Sequence, residues 1–230
     1  MVKGLVPIID LHDKNCDEFL DTAWREVGFA CVIGHGINSN LFSSMRTLLK
    51  KLFALPDETK SKYQITPENY RGFIPLGFFT PNRTDRTGTQ ADVYEAFKLH
   101  WECPEQHPVR EECPLYGSNR WVNELDDMVE VISSYWDACD DLSKKLLQFA
   151  AESLGVDFQT LFSAFEAPLT NMTLLRYPTT DGEDEFGIHP HKDTNIFTLL
   201  HPDPNGGLEI KSPDGSWVEI ECPKEALVIN

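Results

Sequence analysis

After Pro168 the sequence changes its period, and that change limits the folds open to the chain. Before it, apolar residues recur every three or four positions. The clearest case is 122–154, where Met128, Val131, Ile132, Tyr135, Leu142, Leu146, Leu147, Phe149 and Leu154 share a helical face. The same spacing covers 15–27 (Phe19, Leu20, Ala23, Trp24, Val27) and 40–54 (Leu41, Met45, Leu48, Leu49, Leu52). Asn15 or Asp17 is placed to cap the first of these and Gly28 to end it; a shorter helix fits 158–165. Beyond Pro168 come short apolar runs at 172–177, 196–200, 207–210, 217–220 and 226–229, each cut off by Gly, Pro or Asp. That is the rhythm of strands and turns. Two earlier runs, 6–11 and 29–33, also read as strands, and 67–89 as a long loop. The expected class is α+β, with a mostly helical first two-thirds feeding a β-rich last third.

Composition narrows the partners. The 230 residues are 41% hydrophobic and 25% charged, which suffices for a large buried core. Thirty-seven acidic against 20 basic side chains give a net charge of -17. Such a surface repels phosphate backbones and anionic lipid, so neither nucleic acid nor a membrane is an expected partner. No stretch approaches the roughly 20 apolar residues of a membrane span. The N-terminus lacks the apolar run of a signal peptide, so the expected location is cytoplasmic. The six cysteines (Cys16, Cys31, Cys103, Cys113, Cys139, Cys222) form no CxxC pair. They are expected to be reduced, with Cys31 and Cys139 as small core residues.

The chemically dense segment is Gly187-Ile188-His189-Pro190-His191-Lys192-Asp193. On an extended strand, residues two apart face one side, so His191 and Asp193 can approach a single metal ion. An imidazole with a carboxylate suits Fe(II) in a facial arrangement that leaves positions open for substrate and O2, and also permits zinc. With seven histidines a bare H-x-D is a weak signal, and His201-Pro202-Asp203 is a second instance. The first is set apart by lying just ahead of the apolar run 196–200. His189 extends it to H-x-H-x-D, as in dinuclear zinc hydrolases, but Thr194 stands where those sites carry another His. Ligands at i, i+2 and i+4 on a straight strand would span roughly 13 Å, so His189 is read as a neighbour.

Ordered blocks surround this segment. They are Val6-Pro7-Ile8-Ile9-Asp10-Leu11, Trp24 to Phe29 followed by Gly34-His35-Gly36-Ile37, Phe53-Ala54-Leu55-Pro56, Tyr70-Arg71-Gly72-Phe73 and Glu95-Ala96-Phe97. Leu174-Leu175-Arg176-Tyr177-Pro178 precedes the metal segment; Phe197-Thr198-Leu199-Leu200, Gly206 to Ile210, Asp214 to Trp217 and Ala226 to Asn230 follow it. In this order they resemble the isopenicillin N synthase-like family of Fe(II)/2-oxoglutarate-dependent oxygenases. The resemblance implies a double-stranded β-helix (jelly-roll) core at 169–230, supporting helices at 116–168 and an N-terminal region at 1–115. It implies His191 and Asp193 as iron ligands, Tyr177 as a contact to 2-oxoglutarate, and Fe(II), 2-oxoglutarate, O2 and a small organic substrate as partners. The family's second iron-binding His, and the Arg and Ser that anchor 2-oxoglutarate, would lie past Asn230. The chain therefore reads as cut inside its sheet, with the core incomplete.

Arg176 should face away from Tyr177 into a structural ion pair, His35 should serve a turn, and Trp217 should pack the sheet. Alternatives are a catalytically inactive remnant, a binding module that pairs through an open sheet edge if the chain ends at Asn230, an oxidase without 2-oxoglutarate, or a zinc hydrolase. The segment 75–89, with Phe78, Phe79 and Arg83, is a candidate lid. Replacing Phe78 and Phe79 by Ala in an active full-length form should alter the substrate KM; unchanged kinetics would remove the lid.

Overall fold

The computed structural model describes residues 4–79, 91–113, 115–179, 186–212 and 214–230. Along the chain lie β1 (Ile8–Asp10), α1 (Cys16–Glu26), β2 (Ala30–Ile33), α2 (Ser39–Phe53), α3 (Asp57–Ser61), β3 (Gly72–Ile74), β4 (Glu95–His100) and α4 (Val109–Glu112). There follow α5 (Met128–Leu154), α6 (Phe158–Ser163), β5 (Asn171–Arg176), β6 (Leu199–Leu200), β7 (Glu209–Lys211), β8 (Trp217–Glu219) and β9 (Leu227–Ile229). They form two compact units: Met1–Ser43 with Ser133–Ser163 and Lys192–Asn230, and Ser44–Ile132 with Ala164–His191.

In the first unit, α1 buries Cys16, Leu20 and Ala23 on one face. Asp17 and Glu18 in its first turn and Arg25 in its last oppose the helix dipole. Gly28 ends it as expected: at φ +81° its N–H turns back to the Ala23 carbonyl at 2.8 Å. Asn15 holds the cap position, but its side chain makes no capping bond; Asp13 Oδ1 instead accepts the Asn15 N–H at 2.9 Å. β2 is wholly buried at Ala30, Cys31 and Val32. It pairs parallel with β1 and antiparallel with β9, giving the order β1-β2-β9-β6. The two-residue period then sorts side chains between two cores. Ala30, Val32, Leu227 and Ile229 join Leu20, Phe42, Leu142 and Leu146. Cys31 and Val228 join Ile210 and Ile220 beside the hairpin of β7 and β8.

One expectation is overturned here. Cys31 is not a free core thiol but is bonded to Cys222, with Cα atoms 6.1 Å apart. The two are 191 residues apart, and only the pairing of β2 with β9 brings them together, so no spacing rule could find them. Cys16, Cys103, Cys113 and Cys139 stay unbridged, and burial pushes the Cys139 thiol up to about 11. Trp217 also departs from expectation: it is 46% exposed on β8 instead of packing the sheet.

The second unit is organised by a sheet of order β3-β4-β5. Gly72 opens β3 at φ +111°, where any Cβ would collide with the Tyr63 carbonyl. β4 is buried along its whole length except for partly covered Lys98, and pairs antiparallel with both neighbours. Charged Glu95 and Lys98 mask its alternation in the sequence. The long helix starts at Met128, six residues later than its apolar stripe implies, because Val122 and Leu125 are buried in turns instead. All five apolar runs after Pro168 carry strands, four of them shorter than the run and the first, Asn171–Arg176, as long as its run. Among the described residues no helix is long and apolar enough to cross a membrane.

A bridge closing so long a loop is worth about 3–5 kcal/mol, largely by restricting the unfolded chain. Replacing Cys222 by Ser should lower the thermal midpoint by about 10 °C. A strong thiol reductant should lower the parent's midpoint similarly and leave the variant's unchanged, as read by calorimetry.

Candidate metal and cosubstrate site

The segment 187–198 is irregular, not the extended strand the sequence suggested, and β6 begins only at Leu199. The alternation argument therefore does not place His191 and Asp193; local hydrogen bonds do. His191 closes the second unit and Asp193 lies in the first. Both are exposed. His191 Nδ1 is 2.8 Å from the His189 carbonyl, which can only accept, so Nδ1 carries the proton and Nε2 the lone pair a metal needs.

Asp193 is held from the sheet. Thr198 Oγ1 donates to Asp193 Oδ2 at 2.6 Å, and Asn230 Nδ2 donates to the same oxygen at 3.0 Å. Asn195 Nδ2 in turn donates to Thr198 Oγ1 at 2.9 Å. Thr198 and Asn230 exchange backbone bonds at 2.8 and 3.3 Å, which extend the pairing of β6 with β9 and so fix both side chains. Sequence reasoning missed Thr198 and Asn230 as supports; the hint available was that each directly adjoins a strand end. Each group by itself, an imidazole nitrogen and an oriented carboxylate oxygen, is of a kind that suits Fe(II). Among the described residues no group of three or more His, Cys, Asp or Glu side chains is placed to hold a metal.

His189 is clamped by Asp92, whose Oδ1 lies 2.6 Å from the ring Nδ1 and 2.9 Å from the backbone N. Tyr177, just past β5, lays its ring over Gly187, where a Cβ would clash with it. The Tyr94 ring lies beside it at 6.4 Å. The Tyr177 side chain is half exposed, yet burial of its hydroxyl, then the charge of Asp92, pushes its pKa up to about 12. The same two causes lead for Tyr94, also at about 12. Both phenols therefore stay protonated donors. Arg176 faces the other way, as expected, in an ion pair with Glu95, which also takes Lys60 Nζ at 3.0 Å. His35 is structural: Nε2 donates to the Glu225 carbonyl at 2.8 Å and Nδ1 accepts the Ile37 N–H at 3.1 Å. Phe78 and Phe79 meet edge to face at 5.0 Å, while 80–89 of the candidate lid, Arg83 included, lie outside the described residues.

Comparison with known proteins decides the family. Residues 6–124 match the N-terminal region named for the non-haem dioxygenase in morphine synthesis, and 169–230 match the 2OG-Fe(II) oxygenase superfamily. The chain belongs to the Fe(II)/2-oxoglutarate-dependent oxygenase family. Homoarginine-6-hydroxylase 2-ODD-C23.2 of Arabidopsis thaliana is 29% identical over 235 residues, covering 94% of this chain and 64% of that protein. Homoarginine-6-hydroxylase 2-ODD-233 of Oryza sativa subsp. japonica is 30% identical over 213 residues, covering 87% and 62%. The chain thus spans less than two-thirds of the length of these relatives. The crystal structure of a 2OG-Fe(II) oxygenase family protein from Caulobacter crescentus superposes with a TM-score of 0.83 at 26% identity, covering 98% of this chain and 73% of that one. JOX2 in complex with 2OG, Fe and JA gives 0.79 at 25%, covering 98% and 64%. The fold is that of the jelly-roll oxygenases.

The sheet beside Tyr177 also carries a pH-sensitive group. Burial, then the charges of Arg71 and Lys98, push His100 down to about 4. Its folded pKa lies below the unfolded value near 6.5, so its contribution is complete above about 6.5 and is lost as pH falls towards 4. The loss amounts to about 3 kcal/mol. His100→Gln should flatten the fall in unfolding free energy between pH 6.5 and 4, measured by urea titration. Parallel curves would contradict it.

Proposed function

We propose that this protein is a non-haem Fe(II)- and 2-oxoglutarate-dependent oxygenase that hydroxylates or similarly oxidises a small organic substrate. His191 and Asp193 would hold the iron, and Tyr177 would contact 2-oxoglutarate. The observation that carries this reading is the support of Asp193: two donors from adjoining strand ends orient one carboxylate oxygen, the outer arrangement that tunes a metal-binding carboxylate. The tautomer set on His191 supports the same role. The names of the relatives, homoarginine-6-hydroxylases and gibberellin 2-beta-dioxygenase 7, support oxidation of a small organic molecule.

When bound, Fe(II) with 2-oxoglutarate and O2 supplies the oxidising chemistry, coupling decarboxylation of the cosubstrate to succinate with oxidation of a substrate C–H bond. The chain's own work is to bind and orient. Thr198 and Asn230 neutralise part of the charge on Asp193 Oδ2 and fix its rotamer. Tyr177, protonated throughout the neutral range, offers an O–H to a carboxylate without charge repulsion. Gly187 leaves room for that ring.

The test is anaerobic titration with Fe(II), alone and with 2-oxoglutarate, followed by calorimetry and by visible charge-transfer absorption. His191→Ala or Asp193→Ala should abolish the Fe(II) binding that these two ligands support, and Thr198→Ala should weaken it about tenfold. Tyr177→Phe should weaken 2-oxoglutarate while sparing Fe(II). Equal Fe(II) affinity in the parent and Asp193→Ala would overturn the assignment.

A further inference from the structure

The sheet of β3, β4 and β5 has two faces of opposite character. On one, every charge is partnered. Buried Lys60 lies 3.0 Å from both Glu95 and Asp57, and Glu95 also takes Arg176. On the other lie Ala96 and Lys98 of β4, directly opposite Leu175 and Thr173 of β5. Tyr94 and Tyr177 continue that face one step beyond the strand ends, ring beside ring. Tyr70 and Phe79 pack against its apolar part.

Lys98 is the exception on this face. Its ammonium sits 5.2 Å from the centroid of the Tyr70 ring, and among the described residues it meets no carboxylate. Lys98 and Arg71 each bear on His100, whose pKa their charges push down. Burial lowers the pKa of Lys98 itself. A half-buried cation that meets no carboxylate among the described residues is costly and is not what a sheet needs for stability. Lys60, two-fold paired on the opposite face, shows what a structural lysine looks like in this unit.

Resting on the oxygenase reading above, we propose that Lys98 is a specificity-determining residue that binds a carboxylate of the organic substrate. Beside it Tyr70, Tyr94 and Leu175, partly buried over Ala96, offer apolar surface to a body carrying that anion. From Tyr94, the neighbour of Tyr177, to Lys98 is four residues of strand, about 13 Å. A five-carbon dicarboxylate held at Tyr177 does not reach so far, so the anion at Lys98 belongs to a second molecule.

The experiment titrates the full chain with 3-phenylpropanoate and with its methyl ester by calorimetry. The parent should bind the acid about tenfold more tightly than the ester, the worth of one charge-assisted hydrogen bond. Lys98→Met should erase the preference and leave ester affinity unchanged, and Lys98→Arg should keep it. No preference in the parent, or the same preference in Lys98→Met, overturns the proposal. Circular dichroism checks that Lys98→Met is folded, and if it is not, the parent ratio with Lys98→Gln decides. Titration with 2-oxoglutarate in the presence of Fe(II) separates the two readings. If no variant binds it, the oxygenase reading fails while the acid-to-ester ratio still judges Lys98. If Lys98→Met weakens 2-oxoglutarate and not the acid, Lys98 serves the cosubstrate and the proposal falls.

Discussion

The first unit depends on the pairing of β2 with β9. These strands lie far apart in sequence, yet Ala30, Val32, Leu227 and Ile229 interlock in one core, and Cys31 and Val228 in another. Three further features follow from this one ladder. Cys222 is delivered to Cys31, His35 reaches the carbonyl of Glu225, and Asn230 leaves the strand with its amide on Asp193. Loop closure over so many residues is costly, and burying a wholly apolar strand on both faces offsets it.

Local rules made much of the fold legible. The helices at Cys16–Glu26 and Ser39–Phe53 lie within a residue or two of their apolar stripes, because each buries a single face. Gly28 ended its helix for the reason expected. What escaped was non-local or masked. β4 mixes Glu95, Lys98 and His100 into a buried strand: ion pairs hold Glu95, the Tyr70 ring lies under Lys98, and the Tyr70 carbonyl is 3.2 Å from His100 Nε2. The bridge between Cys31 and Cys222 escaped because it is a property of pairing, not of spacing.

The site divides in the same way. Motif order proposes His191, Asp193 and Tyr177 as candidates, and strand alternation gave the ion pair of Arg176. The means of support could not. The alternation argument for His191 and Asp193 assumed a strand where the chain is irregular, and Thr198 and Asn230 act through side-chain bonds that no pattern encodes. Asp92, a lone acid in sequence, holds His189 and presses on the acidity of Tyr94 and Tyr177.

The raised acidity constants of Tyr94 and Tyr177 have an electrostatic consequence for the molecule as a whole. With a net charge of -17, the protein as a body disfavours any approaching anion. The sheet face that carries these two phenols contributes no charge of its own through them at any pH where proteins are ordinarily handled. It presents two O–H dipoles with the charge of Asp92 near them, and the ammonium of Lys98 farther along the same face. An anion repelled at long range would have to be held here by hydrogen bonds at close quarters, so selection among ligands falls to the short-range step.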